Sequence, residues 1–106
     1  ERMKKLQEIF PDDFYFEFDA QKNVLLQQER GISFEHIIVL IKNGNISSVK
    51  PHHNQKKYPN QYVAEIISSN YIYIVPFVIE NNKIFLKTIY PSRKATKNYK
   101  KGEKDA

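Results

Sequence analysis

The sequence predicts an α+β fold in which two N-terminal helices pack on one face of a four-stranded antiparallel sheet. Three observations predict it. Two capped segments with helical apolar spacing come first. Four strand-like apolar runs follow, split by turns so short that the neighbouring runs must pair antiparallel. The chain has 106 residues, enough for one domain with a single core and little to spare.

Taken in order, residues 1–13 read as an N-terminal extension with a helical turn (Met3, Leu6, Ile9, Phe10) stopped by Pro11. The aromatic alternation of residues 14–18 suits a short strand. Asp19 is an N-cap for a helix over 20–30, and Gly31 is its stop. Ser33 caps a second helix, whose residues Phe34, Ile37, Ile38 and Ile41 form one apolar stripe. Ile32 is placed to staple onto Ile37, and Asn43-Gly44 closes the helix. Strands are expected at 46–50, 61–68, 71–80 and 83–90. Ser68-Ser69-Asn70 and Asn81-Asn82 supply the hairpin turns, because Asn tolerates the left-handed backbone. Pro76 lacks a ladder donor and therefore marks an edge or a bulge. Residues 98–106 are polar enough to read as a tail.

Composition narrows the function classes. Cysteine is absent, which rules out disulfides and thiolate metal sites and fits a reducing cytoplasm. The longest apolar run, residues 71–79, contains Pro76 and is too short to span a bilayer. No signal-peptide pattern is present, so a cytoplasmic protein is expected. The net charge of +5 is unevenly spread. Residues 1–35 hold eight acids and five bases, whereas residues 36–106 hold four acids and twelve bases. No acid occurs between Lys42 and Ala64, or between Asn81 and Gly102. Such asymmetry marks a polyanion-binding face. A membrane surface ranks below nucleic acid because the basic half shows no amphipathic basic helix. Three glycines build no phosphate loop. The adjacent His52 and His53, with no carboxylate near, are not spaced for zinc, so no metal and no cofactor is expected.

The last strand empties into Ser92-Arg93-Lys94-Ala95-Thr96-Lys97. A rigid element ending in guanidinium and ammonium groups suits a phosphate ester, although a basic end that keeps a small protein in solution reads the same way.

With these residues in view, the chain resembles the BrnT-type toxins of bacterial type II toxin–antitoxin pairs over roughly residues 16–97. The likeness rests on Phe16-Glu17-Phe18-Asp19 with Lys22-Asn23, on Arg30-Gly31-Ile32-Ser33-Phe34-Glu35, and on Ser92-Arg93-Lys94-Ala95-Thr96. The segment from His52 to Gln61 looks like a family branch with a His-Pro-Asn-Gln and Tyr-Pro motif, His53 standing in place of Pro. Arg30 replaces a family His, and Lys87 lies one step from the position of a family Arg. The resemblance implies a RelE/ParE-like fold, a ribonuclease that arrests translation, and a ribbon-helix-helix antitoxin partner.

Metal-independent RNA cleavage needs a base for the 2′-hydroxyl, donors for the charge on phosphorus, and an acid for the leaving oxygen. His52 is the first candidate for proton transfer, with Lys57 as phosphate donor and Tyr58 as proton donor or stacking surface. Arg93 is the candidate for bidentate phosphate contact, or else a surface ion pair to Glu17 or Glu35. His53, Lys22, Lys87, Lys94 and Lys97 complete the candidate RNA-binding set, and Lys22 enters it through the resemblance. His36 reads as an ordinary surface residue. Two other functions fit the same features: a non-catalytic nucleic-acid or repressor-binding module, and a toxin of the same fold acting on a protein such as gyrase.

Overall fold

Residues 14–105 are described by the computed structural model; the helical turn expected within residues 1–13 lies outside them. In chain order the elements are β1 (Tyr15–Glu17), α1 (Ala20–Arg30), α2 (Phe34–Lys42), β2 (Ile46–Pro51), β3 (Gln61–Ser68), β4 (Tyr71–Glu80), β5 (Lys83–Leu86), β6 (Tyr90–Pro91) and α3 (Arg93–Asp105). The sheet runs β1-β5-β4-β3-β2, with β6 also paired to β4. The expected architecture is corrected on two counts: the sheet is six-stranded and mixed, and a third helix follows it.

Both early helices have the caps their sequences announce. The Asp19 carboxylate accepts from the Lys22 N–H at 2.8 Å, and the Ser33 hydroxyl accepts from the His36 N–H at 3.1 Å. Gly31, at φ 66°, ends α1 in the left-handed conformation that a side chain would strain. Between the helices sits the buried Asn23. Its Oδ1 accepts from the Phe34 N–H at 2.8 Å, and its Nδ2 donates to Glu35 at 2.7 Å. That bond is the first cause of a Glu35 carboxyl held below its usual range, with a backbone hydrogen bond next. Phe34, Ile37 and Ile41 then meet Ala64, Ile66, Val75, Phe77, Ile84, Leu86 and Ile89 in one core.

Three local causes explain the departures. First, Tyr15–Glu17 pairs in parallel with Lys83–Phe85, anchored by the Tyr15 N–H on the Asn82 carbonyl at 3.0 Å. Three residues carry too little pattern to reveal pairing direction. Second, Pro76 divides the expected strand 83–90. Its carbonyl accepts from the Lys87 N–H at 2.9 Å, so its missing N–H faces the same neighbour. There β5 ends, the register slips by one residue, and pairing resumes at Ile74–Tyr90. The Arg30 guanidinium donates to the freed Ile89 carbonyl.

The third cause is the double-sided burial of β4. Alternation puts Tyr73, Val75, Phe77 and Ile79 on the face toward α1 and α2, where all four join the core. Ile72 and Ile74 point the other way and are also buried. That face is closed by α3, which packs against β4. Ser92 opens the helix by accepting from the Ala95 N–H at 3.1 Å, and the buried Thr96 hydroxyl accepts from the Ile72 N–H at 2.8 Å. Residues 98–105, expected as tail, continue this helix. A basic helix with an apolar side therefore stands in the half of the chain whose sequence predicts none. No helix among the described residues is long and apolar enough to cross a membrane.

Candidate functional site

Pro51 ends β2, and the next residue, His52, donates its N–H to the Gln61 carbonyl at 2.8 Å. This closes residues 53–60 into a loop at one end of the sheet. Asn54 organises that loop. Its carbonyl accepts from the Tyr58 N–H at 2.9 Å, and its side-chain oxygen accepts from the Lys57 N–H at 3.2 Å. Its own N–H donates to Nδ1 of His52 at 3.0 Å, while the Gln55 amide donates to the His52 carbonyl at 2.6 Å. Asn forms such turns readily because its side chain reaches backbone donors nearby.

The result is a three-ring cluster, His53 stacked on His52 and Tyr58 tilted against it. His52 lies between His53, at 4.4 Å, and Tyr58, at 4.5 Å between centroids. The Lys57 ammonium sits 5.4 Å from the Tyr58 centroid, within cation–π range. From β5's end Lys87 approaches, its ammonium 3.5 Å from the Gln61 side-chain oxygen. The slip between β5 and β6 decides which way these residues face: Lys87 and Tyr90 are both exposed, with Ile89 turned into the core.

The His52 imidazole titrates below its ordinary range. Partial desolvation by its neighbours is the first cause, then the charges of His53 and Lys87. Near neutral pH it is uncharged, and the Asn54 N–H on Nδ1 selects the tautomer with its proton on Nε2. In that form Nε2 donates, as an anionic phosphate oxygen requires. Acting as a base through Nε2 requires the other tautomer and costs the Asn54 bond.

The loop thus gathers His52, His53, Lys57, Tyr58 and Lys87. The other candidates lie elsewhere. Arg93 opens α3 beside Ile72, because the adjacent Ser92 N–H donates to the Ile72 carbonyl at 3.0 Å. Gln61, which holds the His52 loop, pairs instead with Val78. Ile72 and Val78 are six positions apart on β4, about 20 Å of extended chain. An arginine side chain does not bridge that. Lys94 and Lys97 stay with Arg93 on α3, all three exposed. Lys22 is exposed in the first turn of α1, in the helical layer on the opposite face from α3. The His36 ring lies 3.4 Å from the Ser68 hydroxyl, near the β3–β4 turn.

Neither a protein-family model nor a curated protein matches the chain. Its chemistry must be read from its own residues. Among the described residues no group of three or more His, Cys, Asp or Glu is placed to hold a metal ion. A depression lined by Val78, Glu80, Lys83 and Phe85 contains none of the candidate residues.

Three contributing residues carry no sequence signal that names them as such. Asn54 lies within the His52–Gln61 segment, but no pattern in the sequence shows that its N–H occupies His52. Polarity places Lys100 and Lys101 in a tail, although their spacing from Arg93 and Lys97 is helical (i+7, i+8 and i+3, i+4).

Proposed function

We propose that this chain binds RNA and cleaves it without a metal, as the toxin half of a bacterial type II toxin–antitoxin pair that arrests translation in the cytoplasm. One observation carries the reading: an acid-free loop presents an uncharged His52 with an Nε2 donor among Lys57, Lys87, His53 and Tyr58. Lys57 and Lys87 supply cations for the charge that builds on phosphorus, worth about 3 kcal/mol for a well-placed donor. His52 takes the 2′-hydroxyl proton after releasing the Asn54 N–H, and Tyr58 is the neighbouring proton donor. The partner is an acidic ribbon-helix-helix antitoxin, whose association the basic half of the chain favours.

A second reading, a non-catalytic nucleic-acid module, is favoured by the occupied Nδ1 of His52 and by the distance of Arg93 from the loop. A single experiment separates the two. The purified chain is incubated with single-stranded RNA in excess chelator, and binding and product ends are followed together. Cleavage leaving 2′,3′-cyclic phosphates, and lost in His52→Gln, supports the ribonuclease. Binding without cleavage supports the module, and absence of binding sinks both.

A further inference from the structure

We propose that α3 is a docking surface for the phosphate backbone of RNA, separate from the His52 loop. The proposal rests on the RNA-binding reading above and adds a second contact to it. Arg93, Lys94, Lys97, Lys100 and Lys101 are all exposed on this helix. No carboxylate among the described side chains lies within ion-pair distance of any of them; the ion pair found there is Lys83–Glu17, at 3.5 Å. Glu65 and Glu80 share the sheet face on which α3 packs, yet neither pairs with it.

Three features of the helix point to a polyanion. First, its cations oppose its own stability. Arg93–Lys97 and Lys97–Lys101 are like-charge pairs at i,i+4, and Arg93 and Lys94 sit in the first turn, where the helix dipole disfavours cations. No acidic residue occupies that first turn. Second, the spacing fits a strand. Residues 93 to 101 rise about 12 Å, a length along which successive phosphates of one strand can lie. Third, the surface has no apolar centre. Thr96 is buried, and Ala95 and Tyr99 are half-buried.

The third feature selects among polyanions. Protein partners bind through aromatic and apolar anchors at the centre of the patch, which this helix does not expose. A membrane-surface helix must sink its apolar side into the bilayer, and here that side is held on β4 by the Thr96–Ile72 hydrogen bond. A flexible chain of phosphates asks for neither. With the His52 loop about 20 Å away, a single RNA segment engages both surfaces.

The test uses the full chain and a fluorescent 20-nucleotide single-stranded RNA, with anisotropy read across a salt series. The triple variant Lys94→Gln, Lys97→Gln, Lys101→Gln is expected to lower the log–log salt slope by about 2, at about 0.7 per lost phosphate contact. Its affinity at low salt should fall at least about tenfold. The matching Lys→Arg triple variant should bind like the wild type, and circular dichroism should show α3 retained in both. An unchanged slope in the Gln variant overturns the α3 surface while leaving RNA binding at the loop standing. A wild-type chain that does not bind RNA overturns both. A Gln variant that keeps its RNA affinity but loses binding to phosphatidylserine vesicles assigns α3 to membrane and overturns the proposal as well.

Discussion

Asn23 joins α1 to α2 with one buried amide, and the chemistry of that amide fixes what replacing it does. Asn23→Ala strips the Phe34 N–H of its acceptor in a buried place, and an unmet buried donor costs about 1–3 kcal/mol. Lys22→Ala, one position away but exposed, should stay within about 0.5 kcal/mol of the wild type. Paired denaturant titrations check the contrast; equal losses would contradict the clasp. The same reasoning gives His52 a pH signature. Its folded-state pKa is lowered, so between the ordinary histidine value of about 6.5 and that lower value the unfolded chain binds more protons than the folded one. Stability supported by neutral His52 is present above that window and is lost as pH falls through it. An NMR titration should place the His52 midpoint below that of a model peptide, with Nε2 protonated at neutral pH. A midpoint above it would reverse the sign.

At the scale of elements, α3 is a structural layer, and Thr96 is its fastening. Thr96→Val keeps the shape but leaves the Ile72 N–H without its acceptor, a loss of about 1–3 kcal/mol, while Thr96→Ser should retain most of the stability. Thermal melts of the two variants check this. If α3 were a dispensable tail, neither change would matter. Much at this scale was legible in the sequence. The caps Asp19 and Ser33 and the stops Gly31 and Asn43-Gly44 located both early helices, because capping is a contract between residues three or four apart. The turns at Ser69-Asn70 and Asn81 adopt the positive φ that Asn favours. Pro76 announced a ladder defect, but not that its neighbour would split into β5 and β6. The unbroken apolar run of β4 was the signal for α3, since a strand with one solvated face alternates and this one does not. Polarity alone predicts a tail over residues 98–106 and misses a helix whose buried side needs only Ala95, Thr96 and Tyr99.

For the whole molecule, the open question was whether the basic residues of residues 36–106 converge. They do not: Lys57 and Lys87 gather at the His52 loop, Arg93, Lys94, Lys97, Lys100 and Lys101 line α3, and Lys83 pairs with Glu17. Sequence order hides this, because Lys87 and Arg93 are near neighbours along the chain. The chain between them runs along β4 from Pro76 to Ile72, so six residues of sequence carry Arg93 away from the His52 loop. Distance in turn sets the form of the last prediction. Sites more than about 7–10 Å apart with no shared partner act independently, with free energies that add to within about 0.3–0.5 kcal/mol. Lys57→Ala and Lys97→Ala should therefore weaken RNA binding additively on a 20-nucleotide strand. On a tetranucleotide, which cannot reach both surfaces, each single variant should keep one surface at its wild-type affinity, and only the double variant should weaken binding at both. For cleavage, His52→Gln should act mainly on kcat, and Arg93→Ala mainly on KM, since an interaction made equally in ground and transition states changes KM alone. A binding cycle on the long strand that couples by more than 1 kcal/mol, or an Arg93→Ala variant whose loss lies wholly in kcat, would mean that the two groups close on one phosphate, and the separation of binding from chemistry would fall.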